Sequence, residues 1–276
     1  MNLSRALKLM ALSVVLGTAL VACQTVQTTQ PGTVGVDRKQ TVSPLVNPKA
    51  LTQQASAQYV QVLNDAGKKE QLNSDPKLTA RVRAIAHRII PVTAVFRPEA
   101  VQWQWEINVI KSKELNAWCM PGGKIAFYSG LIERLNLTDD EIAAVMGHEI
   151  AHALREHAWE RASQATNANL GLSIVGILAG ANNSQRDMAQ MVYDVSFTLP
   201  NSREHETEAD RIGIELAARA GYNPDAAVTL WQKMEKEAKG APPKWFSTHP
   251  PQQDRINDLR DYAQRVKPLY EASKKG

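Results

Sequence analysis

Residues capable of chemistry concentrate in one short run, "MGHEIAHALREH", which carries three of the chain's six histidines. His148 and His152 are four positions apart, so on a helix both imidazoles leave the same face about one turn apart. Two ligands of a single tetrahedral zinc stand in that relation. Glu149 sits beside that face, placed to act on a water rather than on the metal, the general-base position of an HExxH pattern. The helix itself is expected, because "TDDE" at Thr138 to Glu141 forms a capping box, a hydroxyl at the N-cap and a glutamate three positions on. The competing interpretation, a merely polar helix side, is tested by whether the chain offers a third ligand.

The metzincin arrangement would require glycine and histidine where Arg155 and Ala158 stand, which excludes that class. His157 falls one residue short and, a turn and a half beyond His152 on a continuous helix, is expected at the surface. The other common solution draws a glutamate from a second helix, and "NSREHETEADRIG" offers Glu204, Glu206 and Glu208. Here the chain resembles the gluzincin peptidases that include HtpX, the mitochondrial Oma proteases, prenyl-protein (CaaX) endopeptidases and periplasmic bacterial relatives. His148-Glu149-Ile150-Ala151-His152 and Glu206-Thr207-Glu208-Ala209-Asp210 match their paired HExxH and ExxxD motifs.

That resemblance implies Glu206 as third zinc ligand and assigns a supporting role to Asp210. One turn beyond Glu206, Asp210 can accept the free N–H of a ligand histidine. Glu204 and Glu208 lie about 200° round the helix from Glu206 and are expected to be solvated, with His205 at the surface or behind a ligand. "NAWCMPGGKIAFYSGLI" and "STHPP" extend the likeness, which covers roughly Leu72 to Asp261. His249 of the latter segment is expected to add a metal ligand, to stabilise an oxyanion, or to pack. The implied fold is α+β, a mostly helical zincin-like domain with a small sheet and hairpin before the HExxH helix. The implied activity is zinc-dependent endoproteolysis of unfolded or misassembled envelope polypeptides. The edge at Ala117 to Met120 is available to an extended substrate. A rival reading is a zinc-containing chaperone or outer-membrane assembly factor with latent proteolysis. Three protein ligands and a base favour catalysis, since a structural zinc closes its shell with four.

The elements that must position these residues can be read by periodicity. Leu78, Val82, Ile85, Ile89 and Ile90 form one helical face before Pro91, with His87 outside it. "VQWQWEINV" alternates apolar and polar from Val101 to Val109, predicting a half-buried strand. Pro121-Gly122-Gly123 predicts a hairpin turn. Helices are expected at 139 to 158, within 159 to 192, and at 203 to 219, 225 to 238 and 251 to 266. The apolar run 170 to 180, 11 residues long, is too short to cross a bilayer and is expected to be buried or interfacial.

The start of the chain is of another kind. Arg5 and Lys8 precede an apolar stretch ending in "LVAC", a secretory signal that resembles a lipobox, with residues 1 to 22 removed and Cys23 acylated. Gln24 after the cysteine suggests the outer membrane by resemblance to enterobacterial lipoproteins. Residues 23 to 54, rich in Thr, Gln and Pro, read as a flexible tether, leaving 55 to 276 as the domain. Removing Arg5 and Lys8 takes the net charge from +4 to +2, too little for a nucleic-acid footprint. With Cys23 acylated, Cys119 has no partner within the chain and is expected to pack as a small hydrophobe. Nothing in the sequence specifies an oligomer.

Overall fold

The computed structural model describes residues 23–178, 188–238, 243–251 and 254–275, and the side chains of these apart from 168–178 and 188. The proposed signal segment, residues 1 to 22, lies outside them. The helix α4 (Asp139–Leu154) is central, and it begins as its capping box dictates: Thr138 Oγ1 accepts from the Glu141 N–H, and Glu141 Oε2 from the Thr138 N–H. Its sixteen residues are buried on nearly every side. Helix α7 (Arg203–Arg219), capped by Ser202, crosses it. The two backbones meet at Gly147 and Gly213. A Cβ on Gly147 would lie 2.5 Å from the Gly213 carbonyl oxygen, and one on Gly213 would lie 2.6 Å from the His148 nitrogen. Only glycine at both positions lets the helices approach this closely.

The small sheet has the order β3–β5–β4, with β3 (Glu106–Ile110) parallel to β5 (Lys124–Tyr128) and β4 (Ala117–Met120) antiparallel to it at the edge. The expected hairpin forms at Pro121-Gly122-Gly123, both glycines adopting positive φ (82° and 84°). Alternate residues of the sheet feed two cores. Ile107, Val109, Ile125 and Phe127 face the main core, which contains α4, α7 and α2 (Pro76–Ile89). Ile110, Trp118, Met120 and Ala126 face a second core with Tyr59 of α1 (Pro48–Lys68) and Val192 and Val195 of α6 (Met188–Phe197). Three further helices lie on the main core: α3 (Ser129–Arg134), α8 (Ala226–Glu237) and α10 (Arg255–Ser273).

Several expectations are corrected. The strand expected from Val101 begins only at Glu106, because Pro98–Gln102 forms a 3-10 turn. Asn108 is buried rather than exposed: α1 covers the outward face, and its Nδ2 donates to Tyr59 Oη at 2.9 Å. The helix expected over 139 to 158 breaks after Leu154. Glu156 takes a left-handed φ of 52°, and α5 (His157–Leu178) starts in a new direction. The apolar run 170 to 180 is helical through 178, and its side chains lie outside those described.

The segment expected as a flexible tether, 23 to 54, is instead packed. β1 (Gln24–Val26) pairs antiparallel with β2 (Gln40–Val42), Val34, Val36, Val42 and Val46 are buried, and Asn47 caps α1. Its apolar residues follow no helix or strand period and meet the core through irregular backbone, which is why periodicity gave no sign of it. α10 runs to Ser273, past the expected end at 266, and contains Pro268.

The Gly147–Gly213 approach predicts that Gly213→Ala destabilises the protein, although alanine favours helix by about 1 kcal/mol. The intruding methyl meets backbone, which cannot rotate away, and overpacking of this kind costs about 1–3 kcal/mol or more. Thermal unfolding should show a lower Tm than wild type; an unchanged or raised Tm would show that the crossing tolerates separation.

Candidate metal centre

The crossing of α4 and α7 sets the site. His148 and His152 point from α4 towards Glu206 of α7, and all three are buried. His148 Nε2 and His152 Nε2 are 3.0 Å apart; Glu206 Oε2 lies 3.6 Å from the first, and Oε1 lies 3.4 Å from the second. Atoms bound at about 2.1 Å to one tetrahedral ion stand roughly 3.4 Å apart, so the spacing suits a shared cation. His249, which follows the short helix α9 (Trp245–Thr248), brings Nδ1 to 3.1 Å from His148 Nε2 and 3.0 Å from Glu206 Oε1. Ligand atoms of these four residues all lie within 4.8 Å of one another.

Hydrogen bonds behind the histidines decide which nitrogen carries a proton. Asp210 Oδ1, 2.9 Å from His148 Nδ1, can only accept as a carboxylate, so Nδ1 bears the hydrogen and Nε2 turns its lone pair into the site. A longer chain does the same for His152. Glu208 Oε2 accepts from His157 Nε2 at 2.9 Å; His157 Nδ1 is then free to accept from His152 Nδ1 at 2.8 Å. Both Nε2 lone pairs therefore converge at 3.0 Å, and the buried Glu206 Oε2, though 3.0 Å from Arg255 Nη1, accepts no hydrogen bond. Such a set is repulsive alone and satisfied by a cation, so the residues present fit a metal ion.

The three donors differ in their electrostatics. Burial alone would favour the neutral acid of Glu206, but the His249 and Arg255 charges outweigh it and hold the carboxyl well below its usual range. Burial, with His148 beside it, pushes His152 well below the ordinary imidazole value. For His148 burial acts in the same direction, yet the Asp210 hydrogen bond and the Glu206 charge overcome it and raise its pKa.

His157, expected at the surface, is fully buried behind His152, because the break at Glu156 turns it inward. Glu208, expected to be solvated, is likewise buried, and Arg38 and Arg155 both donate to it. His205 is also buried: it stacks on His157 at 4.3 Å and bonds Glu160 through Nε2. Glu160 in turn receives two hydrogen bonds from Arg38, at 2.9 Å each. Although burial opposes ionisation of Glu160, Arg38 and His205 depress its carboxyl to about 2. Arg38, Arg255 and Trp245 carry no motif that would mark them as part of the site. Arg255 lies within ion-pair distance of both Asp210 and Glu206 and covers the Trp231 ring at 3.3 Å. Trp245 donates its indole N–H to Glu149 Oε1 at 2.8 Å. All three act across long sequence separations, and a tryptophan four residues before His249 was the one usable local hint.

Glu149 stands beside the donor set and outside it, its Oε1 3.4 Å from His249 Nε2. The β4 edge runs along the same cavity, which Trp118, Cys119, Glu149, His152 and His249 help to line and whose volume is about 50 Å³. Cys119 is half-buried there; burial and Glu149 push its thiol pKa up, as suits a packing residue. His87 is exposed, as expected.

Comparison with known proteins agrees with this geometry. The model of peptidase family M48 matches residues 76–263, and the chain belongs to that family. It is 31% identical over 207 residues to the mitochondrial metalloendopeptidase OMA1 of Schizosaccharomyces pombe, covering 74% of this chain and 58% of that one. It is 34% identical over 190 residues to the mitochondrial OMA1 metalloendopeptidase of Bos taurus, covering 64% and 36%. It is 29% identical over 208 residues to the β-barrel assembly-enhancing protease of Escherichia coli K12, covering 72% and 41%. The chain thus spans between about a third and three-fifths of the length of these relatives.

The relay behind His152 predicts that His157→Ala weakens metal retention about 10- to 100-fold while Glu206, His148 and His152 remain. Competition against a chelator measures this, and unchanged affinity would mean that His157 only fills space.

Proposed function

We propose that this M48 protein is a zinc-dependent endopeptidase that hydrolyses unfolded or misassembled polypeptides of the bacterial envelope. The observation that carries this reading is a non-ligand carboxylate, Glu149, held beside a convergent two-histidine, one-glutamate donor set at an open sheet edge. Nitrogen and oxygen donors at tetrahedral spacing suit zinc. His148, His152 and Glu206 would hold it, and when bound it supplies a Lewis acid that polarises the scissile carbonyl and acidifies water.

The chain's own groups do the rest. Glu149, its carboxylate oriented by the Trp245 indole, takes the proton of the attacking water and delivers it to the leaving amine. Asp210 and the Glu208–His157 pair keep the two ligand imidazoles in the required tautomer. Among the described residues the outer edge of β4 pairs with no strand, and it accepts an extended segment by main-chain hydrogen bonds, so selection falls first on unfolded backbone.

His249 supports a resting, latent form of the same enzyme. Its Nδ1 completes a four-donor set, and the cavity of about 50 Å³ admits a few waters rather than a peptide. Opening the site then requires the 245–249 segment to move. The chaperone reading survives only in this form, as binding by a protease whose centre is closed.

Casein or another unfolded protein is the test substrate. Glu149→Gln should keep about one zinc per chain and lose cleavage by about 10²- to 10⁴-fold, whereas alanine at His148, His152 or Glu206 should lose the metal. His249→Ala should raise cleavage at unchanged zinc content. Cleavage by Glu149→Gln at the wild-type rate would refute the base assignment; slower cleavage by His249→Ala would make that residue an aid to catalysis rather than a latch.

Location is part of the proposal. An acyl chain on Cys23 would hold the protein at the periplasmic side of the membrane, in our reading the outer one. Cys23 is exposed, and among the described residues no helix is long and apolar enough to cross a membrane. A bacterial relative named for β-barrel assembly supports an envelope setting. Since β1 begins at Gln24, the acyl chain would draw the folded domain close to the bilayer rather than leave it on a long leash. Cys23→Ala should move the protein from the membrane to the soluble fraction; retention in the pellet would require another anchor.

A further inference from the structure

One cation at the site has no ion-pair partner among the described residues. Arg161, a turn after His157 on α5, donates Nη2 to the Val195 carbonyl, while its Nε and Nη1 are buried and make no hydrogen bond. Among the described residues no carboxylate forms an ion pair with it. Its neighbours differ. Each guanidinium nitrogen of Arg155 has a partner, in Glu208, Thr29 and the Arg38 carbonyl. Arg97 pairs with Glu99 and Glu156, and Lys124 with Glu106. Burying guanidinium donors without partners is costly, so a fold that keeps one offers a prepared seat for an anion.

The position of that seat gives its purpose. Arg161 lines the small cavity containing Glu149, His152 and His249, and also a groove of about 630 Å³ that continues from it past Trp103 and Trp159. The groove is the size of a site for several residues of an extended chain. Burial lowers the Arg161 pKa to about 10 against the pull of Glu206 and Glu149, so it remains a cation at neutral pH.

We propose that Arg161 anchors a carboxylate-binding subsite at the mouth of this groove, which selects polypeptide substrates carrying an aspartate or glutamate within a few residues of the scissile bond. This rests on the peptidase reading and adds to it a side-chain preference that the β4 edge cannot supply. A guanidinium N–H makes a charge-assisted hydrogen bond to a carboxylate, and Arg161 has unpartnered donors on two sides, Nη1–H on one and Nε–H on the other.

The test uses the zinc-loaded full chain and internally quenched, C-terminally amidated peptides that differ only in Glu, Gln or Lys at each position flanking the cleaved bond. Wild type should prefer Glu over Gln by about 10-fold or more in kcat/KM at one or two positions. Arg161→Gln should reduce that ratio to near one, and Arg161→Lys, which keeps the charge and loses the guanidinium donors, should retain part of it. No Glu preference in wild type, or a preference that survives in Arg161→Gln, overturns the proposal. An equal loss on all peptides overturns it too, because Arg161 would then serve the backbone; a preference seen only for a free C-terminus would replace it with terminal-carboxylate recognition. Fluorescence anisotropy of the same peptides on Glu149→Gln protein separates the two readings. Glu-dependent binding without cleavage by wild type would keep the subsite and reject the peptidase, whereas charge-independent binding would reject the subsite.

Discussion

The backbone contact between Gly147 and Gly213 is the constraint from which the site follows. Helices usually pack with axes 8–10 Å apart, held off by side chains; here both side chains are absent at the crossing, and the would-be Cβ positions fall within 2.6 Å of the opposite backbone. His148 follows one glycine directly, and Asp210 precedes the other by a single turn, so the contact sets the distance between them. The 2.9 Å hydrogen bond from His148 to Asp210 and the convergence of His148, His152 and Glu206 exist only at that separation. Arg255 then closes the far side, a buried cation among Asp210, Glu206 and the Trp231 face.

The buried polar layer behind the donors ties the site to the beginning of the chain. Arg38 bridges Glu160 and Glu208, Gln40 donates to the Arg155 carbonyl, and Thr41 N–H reaches Glu160. Each carboxylate of this layer is shared with a histidine, Glu208 with His157 and Glu160 with His205. Breaking one partner of such a network leaves a buried charge uncompensated, which is far more costly than the pair is worth intact. The segment after Cys23 is thus part of the support of His152, and an anchor at that cysteine would act on a structural member rather than on a leash.

Local features of the site were legible because their causes are local. The capping box at Thr138, the four-residue histidine spacing, the double-glycine hairpin and the edge strand before it each depend on contacts within a few residues. Glu206 and Asp210 came from resemblance, and the structure brings them to the histidines. The misses have long-range causes. A helix continuous through 158 would put His157 outside, and the left-handed glutamate that breaks it carries no signal of the kind a glycine would. The 23 to 54 segment reads as a tether because Val34, Val36 and Val46 follow no period, and its clasp joins Arg38 to Glu208 across 170 positions. Trp245 reaches Glu149 across 96.

These contacts describe a centre assembled by one tight helix crossing, stiffened from behind by shared carboxylates and covered in front by the Trp245–His249 segment. Anomalous diffraction at the zinc edge, on crystals grown with zinc, tests that account most directly. It predicts one ion at about 2.0–2.2 Å from His148 Nε2, His152 Nε2 and a Glu206 oxygen, with Asp210 and His157 outside bonding distance. An ion seated instead among His157, His205, Glu160 and Glu208, or one bound without Glu206, would contradict it.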